Sequence, residues 1–116
     1  MFIAMNRFKV IKEECKAFED AWLTRASRLG EVTGFIAFHL LLGPEREDHV
    51  LYSSHTIWAT QEDFSAWTKS GQFRAAHQQA GERKPLTLGH PDFEGFEVIQ
   101  TIEDTHPPRE QALDPR

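Results

Sequence analysis

The first ten residues alternate with a period of two, which is typical of a β-strand. The opposite face carries Ile3 and Met5. The more apolar face includes one carboxamide and consists of Phe2, Ala4, Asn6, Phe8 and Val10. An Asn in a strand can simply satisfy a neighbouring backbone group. Because it interrupts an apolar face, Asn6 is also a candidate for chemistry.

The pattern then changes to that of a helix. Glu13 and Glu14 suit the positive end of a helix dipole. Gly30 predicts where the helix ends. Between Glu14 and Gly30, apolar residues recur at spacings of three and four and form one stripe: Cys15, Phe18, Trp22, Ala26 and Leu29.

A hairpin follows the first helix. Phe35 to Leu42 is a nearly continuous apolar run, which predicts a strand buried on both faces. Gly43-Pro44 and the charged residues after it predict a turn. His49 to Trp58 is rich in β-branched and aromatic residues and predicts the returning strand.

A second helix is predicted from Thr60, which can cap it, to about Gln79. Residues 80–92 contain two glycines and two prolines and predict a long loop of the kind that covers sites. Phe93 to Ile102 predicts the last strand. We therefore expect a domain over residues 1–102 and a disordered tail over residues 103–116.

The predicted order βαββαβ is the ferredoxin-like arrangement of the α+β class. A four-stranded antiparallel sheet would carry both helices on one face. Its other face, with Ile3 and Met5, would be wet in a monomer. Packing of a second sheet there would bury it, which predicts a homodimer in the form of a dimeric α+β barrel.

Composition narrows the possible partners and the compartment. The 116 residues suit one domain, and the net charge of -5 argues against binding nucleic acid. The single cysteine, Cys15, forms no internal disulfide, which favours a reducing compartment. There is no signal-peptide pattern, and no apolar run approaches the roughly 20 residues that span a bilayer. We therefore expect a cytoplasmic protein with no membrane partner.

The second helix holds the other candidates for chemistry. Trp67 lies on one stripe with Phe64, whereas His77 lies on a mostly apolar stripe just before the long loop. A kink at Ser70-Gly71 would turn both side chains toward one cavity. A neutral imidazole facing a cavity can ligate iron. The alternatives are a core Trp and a His that interacts with the helix dipole, and these patterns alone leave the ligand unknown.

The combination resembles the IsdG-type haem-degrading monooxygenases of the antibiotic-biosynthesis monooxygenase superfamily. The resemblance spans roughly residues 2 to 102, and its specific part is an ordered Asn, Trp and His. By that match Asn6, Trp67 and His77 are the expected catalytic residues. The segments that carry the resemblance are Phe2 to Phe8, Phe18-Glu19 with Trp22, Gly34-Phe35, Trp58, Phe64 to Thr68, and Ala76-His77.

The resemblance implies that haem is both substrate and cofactor and that dioxygen opens the porphyrin ring, releasing iron. His77 would be the axial ligand of the iron, Asn6 would hydrogen-bond on the oxygen side, and Trp67 would press the macrocycle out of plane. Electrons would come from an external reductase, since the chain has no flavin or nicotinamide motif. Further haem-binding candidates are Phe18, Trp22, Phe64 and Phe73 for the cavity walls and Arg25 for a propionate.

Two turns depart from the family pattern. The turn at residues 11–14 lacks an expected glycine, and the turn at residues 32–34 lacks a proline. Both concern loop geometry and leave the three catalytic candidates in place. The alternative functions are a cofactor-independent monooxygenase acting on a quinol or polyketide-like substrate, a non-catalytic haem-binding protein, and a dimeric scaffold without a ligand.

Overall fold

A computed structural model describes residues 1–24, 28–70 and 85–105 of the chain. Two short 3₁₀ turns, Lys12–Glu14 and Leu29–Glu31, flank the first helix. The strands and helices, in chain order, are β1 (Phe2–Val10), α1 (Cys15–Leu23), β2 (Phe35–Glu45), β3 (Val50–Trp58), α2 (Gln61–Thr68) and β4 (Asp92–Glu97).

The four strands form one sheet in the order β2-β3-β1-β4, and every neighbouring pair is antiparallel. The two central strands, β1 and β3, face each other without a shift along their full length, from Phe2 opposite Trp58 to Val10 opposite Val50. Together with the two helices this is the ferredoxin-like α+β arrangement, so the predicted fold class is confirmed.

Both helices end earlier than the apolar stripes predicted. α1 ends at Leu23. The Thr24 backbone N–H makes the last α-helical bond, to the Asp20 carbonyl at 2.9 Å, and the Thr24 hydroxyl donates to the same carbonyl at 2.6 Å. The predicted end at Gly30 is therefore wrong, and Gly30 lies in the separate 3₁₀ turn. Side-chain bonding to a carbonyl one turn back competes with continued helix.

The helix predicted from Thr60 to about Gln79 is interrupted, because α2 ends at Thr68, two residues before the predicted kink at Ser70-Gly71. The Thr68 hydroxyl donates to the Ser65 carbonyl at 2.7 Å. The backbone N–H of Ser70 donates to the Trp67 carbonyl at 2.9 Å, which closes a tighter turn than an α-helix has. Gly71 of the predicted kink, and the rest of the helix predicted to about Gln79, lie in residues 71–84, outside the described part of the chain.

The prediction that β2 is buried on both faces is wrong. Among the described strands β2 lies at the edge and pairs with β3 alone, and Ile36, Leu41 and Leu42 are 51%, 40% and 68% exposed. The strand also runs through Gly43-Pro44 to Glu45, where a register shift absorbs the extra residues. A proline is tolerated there because an edge strand has backbone groups that need no partner strand.

β4 begins at Asp92, close to the predicted start, but it ends at Glu97 instead of Ile102. Glu97 lies opposite Phe2, the first residue of β1, so β4 has no partner strand beyond this point. Ile99 and Ile102 are consequently 95% and 84% exposed. The domain boundary at residue 102 stays a prediction, and residues 106–116 of the predicted tail lie outside the described residues.

The helix side of the sheet carries two hydrophobic clusters. The α2-side cluster is built on Phe2, Ala4 and Trp58, and Phe64 and Trp67 pack against it. The α1-side cluster is built on Val10, Phe18 and Tyr52, with partly buried neighbours at its edges: Phe8, Cys15, Trp22, Leu40, Val50 and Leu86. The two clusters position both helices on the sheet through aromatic packing.

The other side of the sheet is more exposed, and none of the described helices covers it. Ile3 lies opposite Ile57, and Met5 lies opposite His55, whose ring stacks on that of His39 with centroids 5.6 Å apart. We call this the outer face. Within the described residues, no helix has the length and apolarity needed to cross a membrane.

Candidate functional site

Asn6 lies between the two clusters on the helix side of the sheet. Along β1, Ala4 belongs to the α2-side cluster and Phe8 packs on the α1-side cluster, with Asn6 midway between them. Its neighbours across the sheet are Ser54 on β3 and Phe93 on β4. We call Asn6 and Ser54 the polar strip. It is a polar interruption between the two hydrophobic clusters.

The carboxamide of Asn6 is partly exposed. The backbone carbonyl of this residue accepts a hydrogen bond from the Ser53 hydroxyl at 2.9 Å. Within the described residues the side chain itself has no hydrogen bond. An Asn side chain offers two N–H donors and one accepting oxygen, so a polar group of a ligand can pair with it.

α2 supplies one aromatic wall beside Asn6. Thr60 caps this helix as predicted, accepting a hydrogen bond from the Asp63 backbone N–H at 3.0 Å. One turn later Phe64 and Trp67 face the sheet, 6.4 Å apart between ring centroids. Phe64 stacks nearly parallel on Phe93 of β4, with centroids 5.7 Å apart.

α1 supplies the opposite wall. The Trp22 ring stacks on Phe38 of β2 with centroids 5.6 Å apart and planes inclined by 16°. Phe18 is buried, and its ring lies 4.9 Å from that of Tyr52. Trp22 is therefore the less buried of these two α1 aromatic residues, whereas packing of the core explains the position of Phe18.

A hydrogen bond from Tyr52 fixes α1 on the sheet. The Tyr52 hydroxyl donates to the carboxylate of Glu19, one residue after Phe18. Burial raises the pKa of the Tyr52 phenol far above its ordinary value of 10.0, and the hydrogen bond to Glu19 adds to this rise. The phenol is therefore a neutral donor throughout the physiological range.

The structure thus brings five of the eight predicted site residues to one side of the sheet, flanking or forming the polar strip: Asn6, Phe18, Trp22, Phe64 and Trp67. The remaining three, Arg25, Phe73 and His77, lie outside the described residues. Aromatic walls around a carboxamide suit a flat, mainly apolar ligand with one polar group. A separate shallow depression on another face of α2 contains no predicted site residue and is lined by Gln61, Glu62, Ser65, Ala66 and Lys69.

Three neighbours of the site were missed in the sequence. Phe38 was part of the apolar run that predicted a strand buried on both faces, and Phe93 was assigned only to the last strand. Ser54 shares its face with Tyr52 and Thr56, which the period of two could have shown. Its place beside Asn6 depends on the pairing of β1 with β3, which no local pattern specifies.

The fold is that of a ferredoxin-like domain whose sheet carries aromatic clusters on its helix side. Residues 1–79 match the model of the antibiotic biosynthesis monooxygenase family. The match covers more than half of the chain, so the protein belongs to this family.

Among its relatives are named haem-degrading enzymes. A heme-degrading monooxygenase of Bacillus thuringiensis (strain Al Hakam) is 32% identical over 96 residues, which cover 80% of this chain and 79% of the relative. A staphylobilin-producing heme oxygenase of Staphylococcus haemolyticus is 33% identical over 82 residues, covering 67% of this chain and 74% of the relative.

One solved structure with a similar fold is also that of a protein named as a heme-degrader. It is that of the heme-degrader MhuD from Mycobacterium tuberculosis, with two hemes bound in its active site. The similarity has a TM-score of 0.68 at 26% identity and covers 89% of this chain and 100% of MhuD.

Proposed function

We propose that this protein is a haem-degrading monooxygenase that binds haem on the helix side of the sheet and opens its porphyrin ring. The observation that carries the proposal is the Asn6 carboxamide, unpaired among the described residues and flanked by the aromatic walls of α1 and α2. The protein belongs to the antibiotic biosynthesis monooxygenase family and is similar to named haem-degrading enzymes, and both facts support haem as the substrate.

The walls suit a porphyrin, which is flat, apolar over most of its surface and too large for a small cavity. The stacked pair of Trp22 and Phe38 and the pair of Phe64 and Trp67 offer ring faces for such a plane. Bound haem supplies the redox chemistry, as the group that is oxidised and as the site of dioxygen activation.

Asn6 is proposed to hydrogen-bond on the oxygen side of the substrate. Its amide N–H groups are the donors that stabilise negative charge where it develops during oxidation. The carboxamide is held on a central strand with paired neighbours on both sides, so its backbone position is rigid. A donor on a rigid strand needs little reorganisation during the reaction.

Trp67 is proposed to press against the porphyrin and favour a non-planar ring. The indole is backed by the fully buried Trp58, with ring centroids 5.6 Å apart. A side chain packed against a dense core yields little when a ligand pushes on it. The steric pressure is therefore directed into the substrate.

His77, Phe73 and Arg25 belong to the proposal on the strength of the sequence. His77 would ligate the iron axially, Phe73 would complete the aromatic wall and Arg25 would pair with a propionate. Electrons would come from an external reductase, and iron would leave with ring opening. We place the enzyme in the cytoplasm, because this reducing compartment can supply such a reductase and keeps a single cysteine such as Cys15 in its thiol form.

The proposed enzyme is a homodimer that buries the outer face of each sheet. Ile3, Met5 and Ile57 form an apolar centre on that face, and Leu41 extends it at the edge. A second sheet packed face to face would remove this surface from water, at a spacing of about 10 Å. Each substrate site would then lie on the side of the sheet facing away from the partner.

The test is a degradation assay with the purified protein. Haemin is added with ascorbate and catalase, the visible spectrum is followed, and a ferrous-iron chelator and mass spectrometry report the products. We expect the haem absorbance to disappear only when protein and reductant are both present, with stoichiometric iron release. A stable haem complex under these conditions would indicate a binding protein instead of an enzyme.

A further inference from the structure

Ser54 is a buried polar side chain in the middle of the sheet. It is 7% exposed and lies on β3 directly opposite Asn6 of β1. On the other side it faces Leu40 of β2. Directly opposed residues on paired strands have Cβ atoms about 5 Å apart, within reach of a hydrogen bond between short polar side chains.

The other polar neighbours of Ser54 are already engaged. Along β3, the Tyr52 hydroxyl donates to Glu19, and the Thr56 hydroxyl accepts from the Trp58 indole N–H at 2.9 Å. Leu40 offers no polar side-chain atom. Among the register and same-face neighbours of Ser54, the carboxamide of Asn6 is therefore the side chain with free hydrogen-bonding capacity.

Among the described residues no fully buried side-chain oxygen or nitrogen lacks a partner, so the Ser54 hydroxyl keeps some accessible surface although the residue as a whole is buried. A hydroxyl in such a confined place gains from a protein partner. The structure records no hydrogen bond between the hydroxyl of Ser54 and any described residue. The Asn6 side chain is equally unbonded among those residues, and the strand register places it directly opposite Ser54. A bond between the two would satisfy both groups.

We propose that Ser54 is a positioning residue, whose hydroxyl donates to the carboxamide oxygen of Asn6 and thereby directs the amide N–H groups toward the substrate. An unassisted carboxamide has two orientations related by a flip, and only one presents N–H donors. The bond from Ser54 selects that orientation before the substrate arrives. The role of Ser54 toward haem rests on the proposed function, whereas its bond to Asn6 does not.

Ligand-free protein labelled with ¹⁵N tests the bond by nuclear magnetic resonance. The side-chain amide signals of Asn6 are identified as the pair lost in Asn6→Ala. We expect these signals to shift in Ser54→Ala and to return close to their original position in Ser54→Thr, which restores a hydroxyl. Unmoved Asn6 side-chain signals in Ser54→Ala would overturn the proposal.

Ser53→Ala is the matched control. It removes the neighbouring hydroxyl, which bonds the backbone carbonyl of Asn6 and not its carboxamide. We expect backbone shifts near Asn6 and an unchanged side-chain pair, so equal side-chain effects of both alanine variants would also contradict the proposal. If Ser54→Ala does not fold, Ser54→Cys repeats the test with a similar volume and a much weaker donor.

Turnover then tests the consequence for catalysis. Losing the orientation of one donor corresponds to about a two- to tenfold drop in the degradation rate, since one hydrogen bond contributes about 0.5–1.5 kcal/mol. We expect Ser54→Ala to keep its haem affinity, and we expect no further loss in an Asn6→Ala background. An equal loss in both backgrounds would contradict action through Asn6. Absence of haem binding in every variant would refute the proposed function and leave the magnetic resonance result to decide the bond.

Discussion

The indole of Trp67 rests on the indole of Trp58, with ring centroids 5.6 Å apart and planes inclined by 34°. Trp58 is fully buried, and its N–H donates to the Thr56 hydroxyl at 2.9 Å. The ring behind Trp67 is therefore fixed by both packing and a hydrogen bond. Trp67 itself is half-buried.

Replacing Trp67 with Ala should affect stability and turnover together. Removing a half-buried indole should lower the free energy of unfolding by about 2 kcal/mol, less than the roughly 3–5 kcal/mol of a fully buried one. Haem degradation should slow because the steric pressure on the porphyrin is lost. Chemical denaturation and initial degradation rates measure the two effects.

Trp67→Phe separates these effects, because it retains much of the packing against Trp58 and loses part of the bulk. We expect its stability to lie close to that of the wild type and its turnover to lie between those of the wild type and Trp67→Ala. Wild-type turnover in Trp67→Ala would contradict the role of the indole.

Asn6→Ala should bind haem nearly as well as the wild type and degrade it more slowly. Aromatic packing dominates binding, whereas the amide donors act on charge that develops during the reaction. Loss of such a donor costs about a hundredfold in well-studied enzymes, so a drop of at least tenfold is expected. Haemin titration and single-turnover kinetics give affinity and rate separately, and an unchanged rate would count against this role.

Tyr52 allows a pH prediction because it is the single tyrosine of the chain. Its pKa is raised in the folded protein, so the folded state retains a proton that the unfolded state loses above about pH 10. Stability should therefore fall as the pH rises through that value. Ultraviolet absorbance should show tyrosinate only as the protein unfolds.

Tyr52→Phe is the corresponding variant. It removes the hydrogen bond to Glu19 and should destabilise the protein by about 1–2 kcal/mol at neutral pH, since the acceptor is charged. The loss of stability above pH 10 should be smaller than in the wild type. Tyrosinate absorbance in a fully folded wild-type protein near pH 10 would refute the raised pKa.

The outer face offers a test of the proposed dimer. Met5→Lys places a charge at the centre of that face, where a second sheet would leave it buried without a partner. Sedimentation velocity should show a dimer for the wild type and mainly monomer for the variant. Glu47→Lys, in the exposed turn after β2, introduces the same side chain away from the face and should remain dimeric.

Local patterns predicted the parts of the fold that local forces determine. The two faces of β1 and the cap formed by Thr60 and Asp63 follow from side-chain alternation and from hydrogen bonds three residues apart. The predicted helix ends were wrong. At both observed ends a Thr hydroxyl, that of Thr24 or Thr68, bonds a carbonyl three or four residues back, a local competition with the helix that apolar stripes do not encode.

Features that depend on distant pairing were not predictable in the same way. An apolar run such as that in β2 does not show whether the strand is central or at an edge, because the order of strands decides it. Asn6 could be singled out by its place on an apolar face. Ser54 could not be placed beside it, because the register of β1 with β3 joins residues 48 positions apart in the chain.

Haemin titration of His77→Ala tests the central claim most directly, since it asks whether this chain binds iron porphyrin through the predicted residue. The wild type should develop a sharpened and shifted Soret band that saturates with added haemin, and His77→Ala should lack it. His49→Ala, which alters a histidine paired with Asp48 in the turn before β3, should behave as the wild type. A Soret band of equal intensity and position in His77→Ala, or no spectral change in the wild type, would contradict the account.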